Sequence, residues 1–201
     1  MSFEWLTPYH VMVEGGDSGL QPMSELCKYD PSFSVPDMQA RVSNLTVQLL
    51  FGFGDGDMAP LKPYVTEELL QEFQRQAAEF AEQGRKLNVV RPAILRTEML
   101  GFELGKGEAR VHVRTQTRAV LYVTDRNGNV VDGNSTSETF ESRTWVFVRG
   151  IDEKTGRVLR IDSQHCPNCG APVNVYMSAR CSHCGTLVPV AHFKWTACAV
   201  Y

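Results

Sequence analysis

Four cysteines are spaced to hold a metal. Cys166-Pro-Asn-Cys169-Gly170 is matched further along by Cys181-Ser-His-Cys184-Gly185. Each CxxC turn can place two sulfurs on one ion, and Zn²⁺ accepts four thiolates in a tetrahedron. A glycine after the second cysteine of each pair supplies the positive φ that so tight a turn often needs. Two other chemistries use paired cysteines. Disulfides require an oxidising compartment, and the start Met1-Ser-Phe-Glu-Trp-Leu-Thr-Pro has neither the basic nor the apolar region of an export signal. A thioredoxin-type redox site uses one CxxC at a strand–helix junction, not two matched copies. The spacing predicts one structural Zn²⁺ per chain on Cys166, Cys169, Cys181 and Cys184. Iron fits the same S₄ cage. Four thiolates close the coordination sphere, so this metal is expected to brace the fold and to do no chemistry.

The rest of the chain must position that module. It has 201 residues, 43% of them apolar, enough for one large domain or one domain plus a small module. A net charge of −3 provides no general pull toward nucleic acid or anionic lipid. No run approaches the roughly 18 apolar residues of a membrane-spanning helix. These features predict a cytoplasmic protein.

Helical spacing comes first. Ser34 and Pro36 form a helix start, and Met38, Val42, Leu45 and Leu49 follow on one face. Gly52-Phe-Gly-Asp-Gly-Asp57 ends that helix as a plain inter-helix loop, because no strand precedes it and no Gly-Lys-Ser/Thr follows to cradle a phosphate. Thr66 caps a second helix whose inner stripe is Leu69, Phe73, Ala77 and Phe80, with Gly84 as its stop.

Alternation then replaces the helical period. Val89 to Leu104 reads as strand, with Pro92 confining it to an edge. Along 110–123 the odd positions from Val111 to Val123 form one face, and Arg110, His112, Arg114, Gln116 and Arg118 the other. Asn127-Gly128 turns the chain into a returning strand over 139–149, and a final strand runs over 188–200 with Phe193 and Trp195. Helices followed by an antiparallel sheet make a two-layer α+β domain. The expected divisions are an N-terminal arm over 1–28, an α+β domain over 29–164 and 186–201, and a zinc-ribbon insertion over 165–185 before the last strand.

The run from Tyr29-Asp-Pro-Ser-Phe33 through both helices to Glu141-Ser-Arg-Thr-Trp145-Val-Phe147-Val-Arg149 resembles a bacterial Tim44-like domain. The ending, with its two CxxC-Gly knuckles and His192-Phe-Lys-Trp195, is similar to the zinc-ribbon-bearing branch of those proteins. The resemblance covers residues 29–201 and implies an NTF2-like cone with a hydrophobic cavity. Phe140, Trp145, Phe147 and Trp195 are the aromatics able to fill that cavity. The family's mitochondrial relatives are peripheral membrane proteins that contact lipid and partner proteins, so peripheral membrane contact stays open. Here the chain begins just ahead of the domain, and the import role is not carried over.

Three classes of function follow. The favoured one is a non-catalytic binding or scaffold module whose pocket or sheet face takes a protein, peptide or lipid; homo-oligomers are compatible with it. The second is an NTF2-like enzyme using His112, Asp132, Glu138 or Glu141, each with a structural alternative: polar strand faces for His112 and Glu141, turn chemistry for Asp132-Gly133. None has an identifiable nucleophile–base partner. The third is a nucleic-acid binder. The segment between the knuckles carries only Arg180 and Tyr176, which argues against it. Arg110, Arg114, Arg118, Arg143 and Arg149 could form a basic stripe across two strands, but Glu103, Glu138 and Glu141 favour cross-strand ion pairs instead.

Overall fold

A computed structural model describes residues 19–105, 107–152, 164–165, 169–173, 183–184 and 195–201. The predicted helices are present with their caps. Helix α1 covers Met23–Tyr29 and α2 covers Val35–Asp55, where the Ser34 side chain accepts from the Asp37 amide at 3.2 Å. After a 3₁₀ turn at Ala59–Leu61, α3 covers Glu67–Glu82, and Thr66 accepts from the Leu69 amide at 3.4 Å. Met38, Val42, Leu45, Leu49, Leu69 and Phe73 are all buried in one core.

Helix α2 outlasts its expected end. The segment Gly52–Asp55 is helical, and the chain leaves the helix only at Gly56, in the left-handed region at φ 72°. Tertiary contact explains why helix-weakening glycines are used there. A Cβ on Gly52 would stand 2.7 Å from the Met58 sulfur, and one on Gly54 would stand 3.3 Å from the Leu87 carbonyl oxygen. Close approach outweighs the propensity penalty.

Strand β1 (Lys86–Gly105) is an edge strand paired antiparallel to β2 (Glu108–Thr124). Pro92 lies at the first of three register shifts, next to Arg91 at φ 50°, where a missing amide hydrogen breaks no ladder bond. The returning strand is divided. β3 (Val130–Gly133) and β4 (Thr139–Gly150) lie in line along the other side of β2, with residues 134–138 between them. There Asn134 accepts from the Thr136 and Ser137 amides, an Asx turn that interrupts the ladder. The last strand of this sheet, β7 (Thr196–Val200), pairs with β4, giving the order β1-β2-β4-β7. Short bridges flank both edges: Gln21 bonds Phe102 beside β1, and Tyr64 and Thr66 bond Ala197 beside β7.

Helices on an antiparallel sheet are the α+β arrangement the sequence predicts. Residues 19–28, placed with the arm in the sequence, carry all of α1 but Tyr29, and its Leu26 is fully buried. Among the described residues, no helix is long and apolar enough to cross a membrane. The arm residues 1–18 and the segment 185–194, Phe193 included, lie outside the described residues.

Candidate functional site

In the sequence the first cysteine pair falls between two short paired strands. Strand β5 (Gln164–His165) runs antiparallel to β6 (Pro172–Val173), with Gln164 opposite Val173 and His165 opposite Pro172. The sequence between them is Cys166-Pro-Asn-Cys-Gly-Ala171. Gly170 adopts φ 70°, the left-handed conformation expected behind a metal knuckle. Cys169 and Cys184 are exposed, while Cys166 and Cys181 lie outside the described residues, as do Tyr176 and Arg180. The exposed Cys169 beside the left-handed Gly170 is the described part of the first pair, and a thiolate there is of the ligand type Zn²⁺ takes.

The inner face of β4 is unexpectedly charged. Thr115 lies opposite Arg143, Thr117 opposite Glu141, Val113 opposite Trp145 and Val111 opposite Phe147, so all these side chains share the core-facing side. Arg143 is ion-paired with Glu141. Arg149 Nη1 bonds Asp30 Oδ2 at 2.8 Å, and its guanidinium lies 4.3 Å from the centre of the Trp195 ring. From α2, Arg41 donates to the Trp195 carbonyl at 3.1 Å and sits over Tyr64; burial pushes its pKa down to about 10. Trp145 donates to the Thr46 hydroxyl at 2.9 Å.

The ion pairs expected of Glu103, Glu138 and Glu141 form, and the strand-face candidates are more buried than expected. The five arginines are no single stripe: Arg110 and Arg118 are on the outer face, paired with Glu103, Glu108 and Glu138, while Arg143 and Arg149 are buried inside. Glu141 and His112 sit among polar partners, as expected, but neither lies open to solvent. Glu141 points into the core side, and His112, on the opposite face, is 1% exposed with Nε2 3.5 Å from Glu103. Asp132 stands in β3, not in a free turn, and accepts from the Gly133 amide at 2.7 Å. Glu138 faces Arg118 at 3.5 Å. The four candidate acid–base residues are thus spread over both faces of the sheet and do not converge on one point.

Three of the four expected aromatics, Trp145, Phe147 and Trp195, are fully buried; Phe140 is 65% exposed, because strand alternation turns it outward opposite Arg118. One concavity escaped the sequence reading. A cleft of 390 Å³ opens between the C-terminal ends of α2 and α3, over Phe53 and beside Phe80. Its signal was present in the small residues Gly54, Ala77 and Ala81, which fall on two separate helices.

The Tim44-like domain model matches residues 21–161. TIM44-1 of Arabidopsis thaliana, a mitochondrial import inner membrane translocase subunit, is 25% identical over 114 residues; the match covers 54% of this chain and 23% of that protein. The intermembrane space region of the chloroplast protein ARC6 superposes with a TM-score of 0.42 at 16% identity, over 58% of this chain and 85% of that one. The family match begins at Gln21, the residue bonded to the sheet edge, and takes in all three helices and the strands β1 to β4: the chain belongs to the Tim44-like domain family.

Proposed function

We propose that this protein is a non-catalytic binding module of the Tim44-like type, taking a protein partner or a hydrophobic ligand and braced by one structural zinc. The observation that carries the reading is the open cleft between the ends of α2 and α3, lined by Phe53, Phe80 and small residues. Concave, partly apolar surfaces of this size are where ligands and partner side chains bind. The acid–base residues, by contrast, are engaged in separate ion pairs and turns. Cys166, Cys169, Cys181 and Cys184 would hold the metal, whose contribution is to fold the ribbon. The relative's name places it at the inner mitochondrial membrane, which supports protein contact and peripheral membrane contact as the setting for such a module.

Native mass spectrometry of protein purified from cells tests this. One zinc and an added mass, protein or lipid, is the expected result. A bare chain without metal or companion at any concentration tested would sink the reading.

A further inference from the structure

The C-terminal ends of α2 and α3 do not close on one another. Glycines occupy positions 52, 54 and 56 at the end of α2, and alanines occupy 77 and 81 in α3. Packing against Met58 and Leu87 accounts for Gly52 and Gly54. Nothing lies within 4 Å of a Cβ placed at Gly56. With only methyl groups at Ala77 and Ala81, the cleft of 390 Å³ remains open above Phe53.

Its rim is charged. Arg85 and Lys86 follow α3 at the mouth of the cleft; both are exposed and neither forms an ion pair among the described residues. The third cation at this end, Arg126, is already committed: it packs on Gly84 and donates to the Glu82 carbonyl at 3.2 Å, capping the helix end. Asp55, at the end of α2, lines the same cleft against Arg85 and Lys86, and beyond the rim the sign reverses. Helix α3 carries five glutamates, at 67, 68, 72, 79 and 82, against the single Arg75.

We propose that this cleft docks an amphipathic segment of a partner protein, with one large apolar side chain seated over Phe53, an acidic residue against Arg85 and Lys86, and basic residues along α3. The proposal deepens the binding-module reading and rests on it. Two physical points select this occupant. An anionic membrane would meet the glutamates of α3 beside the two cations, and the repulsion opposes flat adsorption there. A small anion inside the cleft would face the carbonyl ends of two helices, the negative poles of their dipoles. An apolar group in the depth and a carboxylate at the rim avoid both conflicts. Rim charges of this kind set orientation and encounter rate.

The test uses the full chain, ¹⁵N-labelled, and a synthetic helical peptide with a phenylalanine anchor, glutamates on one flank and lysines on the other. The expected result is amide shifts at Gly54, Gly56, Ala77 and Ala81. Exchanging the glutamates and lysines of the peptide, or introducing Arg85→Glu with Lys86→Glu, should weaken binding about tenfold or more. Ala77→Trp should abolish the shifts; the charge-reversed surface variant covers the case in which the filled cleft does not fold. Equal binding of the charge-exchanged peptide, or no binding of either peptide, overturns the proposal. Adsorption of phosphatidylglycerol vesicles in place of the peptides also overturns it. Shifts confined to the outer sheet face around Phe140 overturn the cleft while leaving the binding-module reading in place.

Discussion

Arg149 reaches across the molecule to Asp30, guanidinium to carboxylate at 2.8 Å, with both side chains buried. The contact joins the two ends of the sequence pattern that resembles the Tim44-like family. Nearby, the Tyr29 hydroxyl donates to the Ile151 carbonyl, and Phe33 packs edge-on against Trp195 at 5.9 Å. Residues that look like scattered signatures along the chain form one cluster in space. It locks α1 and the start of α2 onto the end of β4.

The Asp30–Arg149 pair yields the first prediction. Breaking a buried ion pair from one side removes the counter-charge but leaves the desolvated ion, at a cost of about 3–5 kcal/mol. Asp30→Ala should therefore unfold at much lower urea than the parent. Replacing both partners, Asp30→Leu with Arg149→Met, should recover most of that loss, since an apolar pair carries no desolvation penalty. A single Asp30→Ala variant within about 1 kcal/mol of the parent would place the pair among weak surface-type bridges.

The same pair shows where sequence reasoning reaches and where it stops. Periodicity found the inner stripes of α2 and α3 and both capping residues, because those signals are local. It also found the returning strand over 139–149 that carries Glu141, Arg143, Trp145, Phe147 and Arg149, which alternation puts on one side. The burial of that side was hidden: Arg149 is compensated by Asp30, a residue distant in sequence that no local pattern connects to it. The Gly52–Gly56 stretch failed for a related reason. Glycine is a helix-weakener on average, and only the nearness of Met58 and Leu87 makes it the fitting residue. The proposed zinc ligands, by contrast, rest on spacing alone, since a CxxC turn specifies its geometry within a few residues.

Gly52 tests that account. In an open helix, glycine to alanine gains about 1 kcal/mol from propensity. Here the new methyl would meet the Met58 sulfur at 2.7 Å and the Asp57 carbonyl oxygen at 3.1 Å. Overpacking of this kind costs about 1–3 kcal/mol, so Gly52→Ala should be net destabilising in urea titrations. Its penalty should shrink when Met58 is already alanine, as a coupling in a double-mutant cycle. A Gly52→Ala protein more stable than its parent would show that the contact with Met58 does not constrain this turn.

Cys198 carries a pH prediction. Burial pushes its thiol up to about 11 from 9.0, and the sulfur donates to the Val146 carbonyl at 3.4 Å. Disulfide reagents attack through the thiolate, so in the folded chain near pH 8 this cysteine should react about a hundredfold more slowly than in urea. The sign of the stability effect follows from the raised pKa. The neutral thiol is favoured in the fold, so its contribution is complete below about pH 9 and is lost as pH rises toward 11. Melting curves of the parent and of Cys198→Ala should therefore converge over that interval. Equal labelling rates in folded and unfolded chains would contradict the burial of the sulfur.

The metal prediction separates a brace from a catalyst. If the four cysteines hold one zinc, Cys169→Ser removes a ligand from the hairpin formed by β5 and β6, and metal affinity and folding free energy fall together. The variant should elute with substoichiometric zinc by elemental analysis and melt at lower temperature. Chelation of the parent should produce the same shift, and added Zn²⁺ should reverse it in the parent alone. Binding of the peptide probe at the cleft should survive both treatments, because Phe53, Ala77 and Lys86 belong to the helices and the start of β1, apart from the hairpin strands. A Cys169→Ser protein that keeps both its zinc and its melting temperature would remove this cysteine from the coordination set, and with it the matched-knuckle reading of the two CxxC pairs.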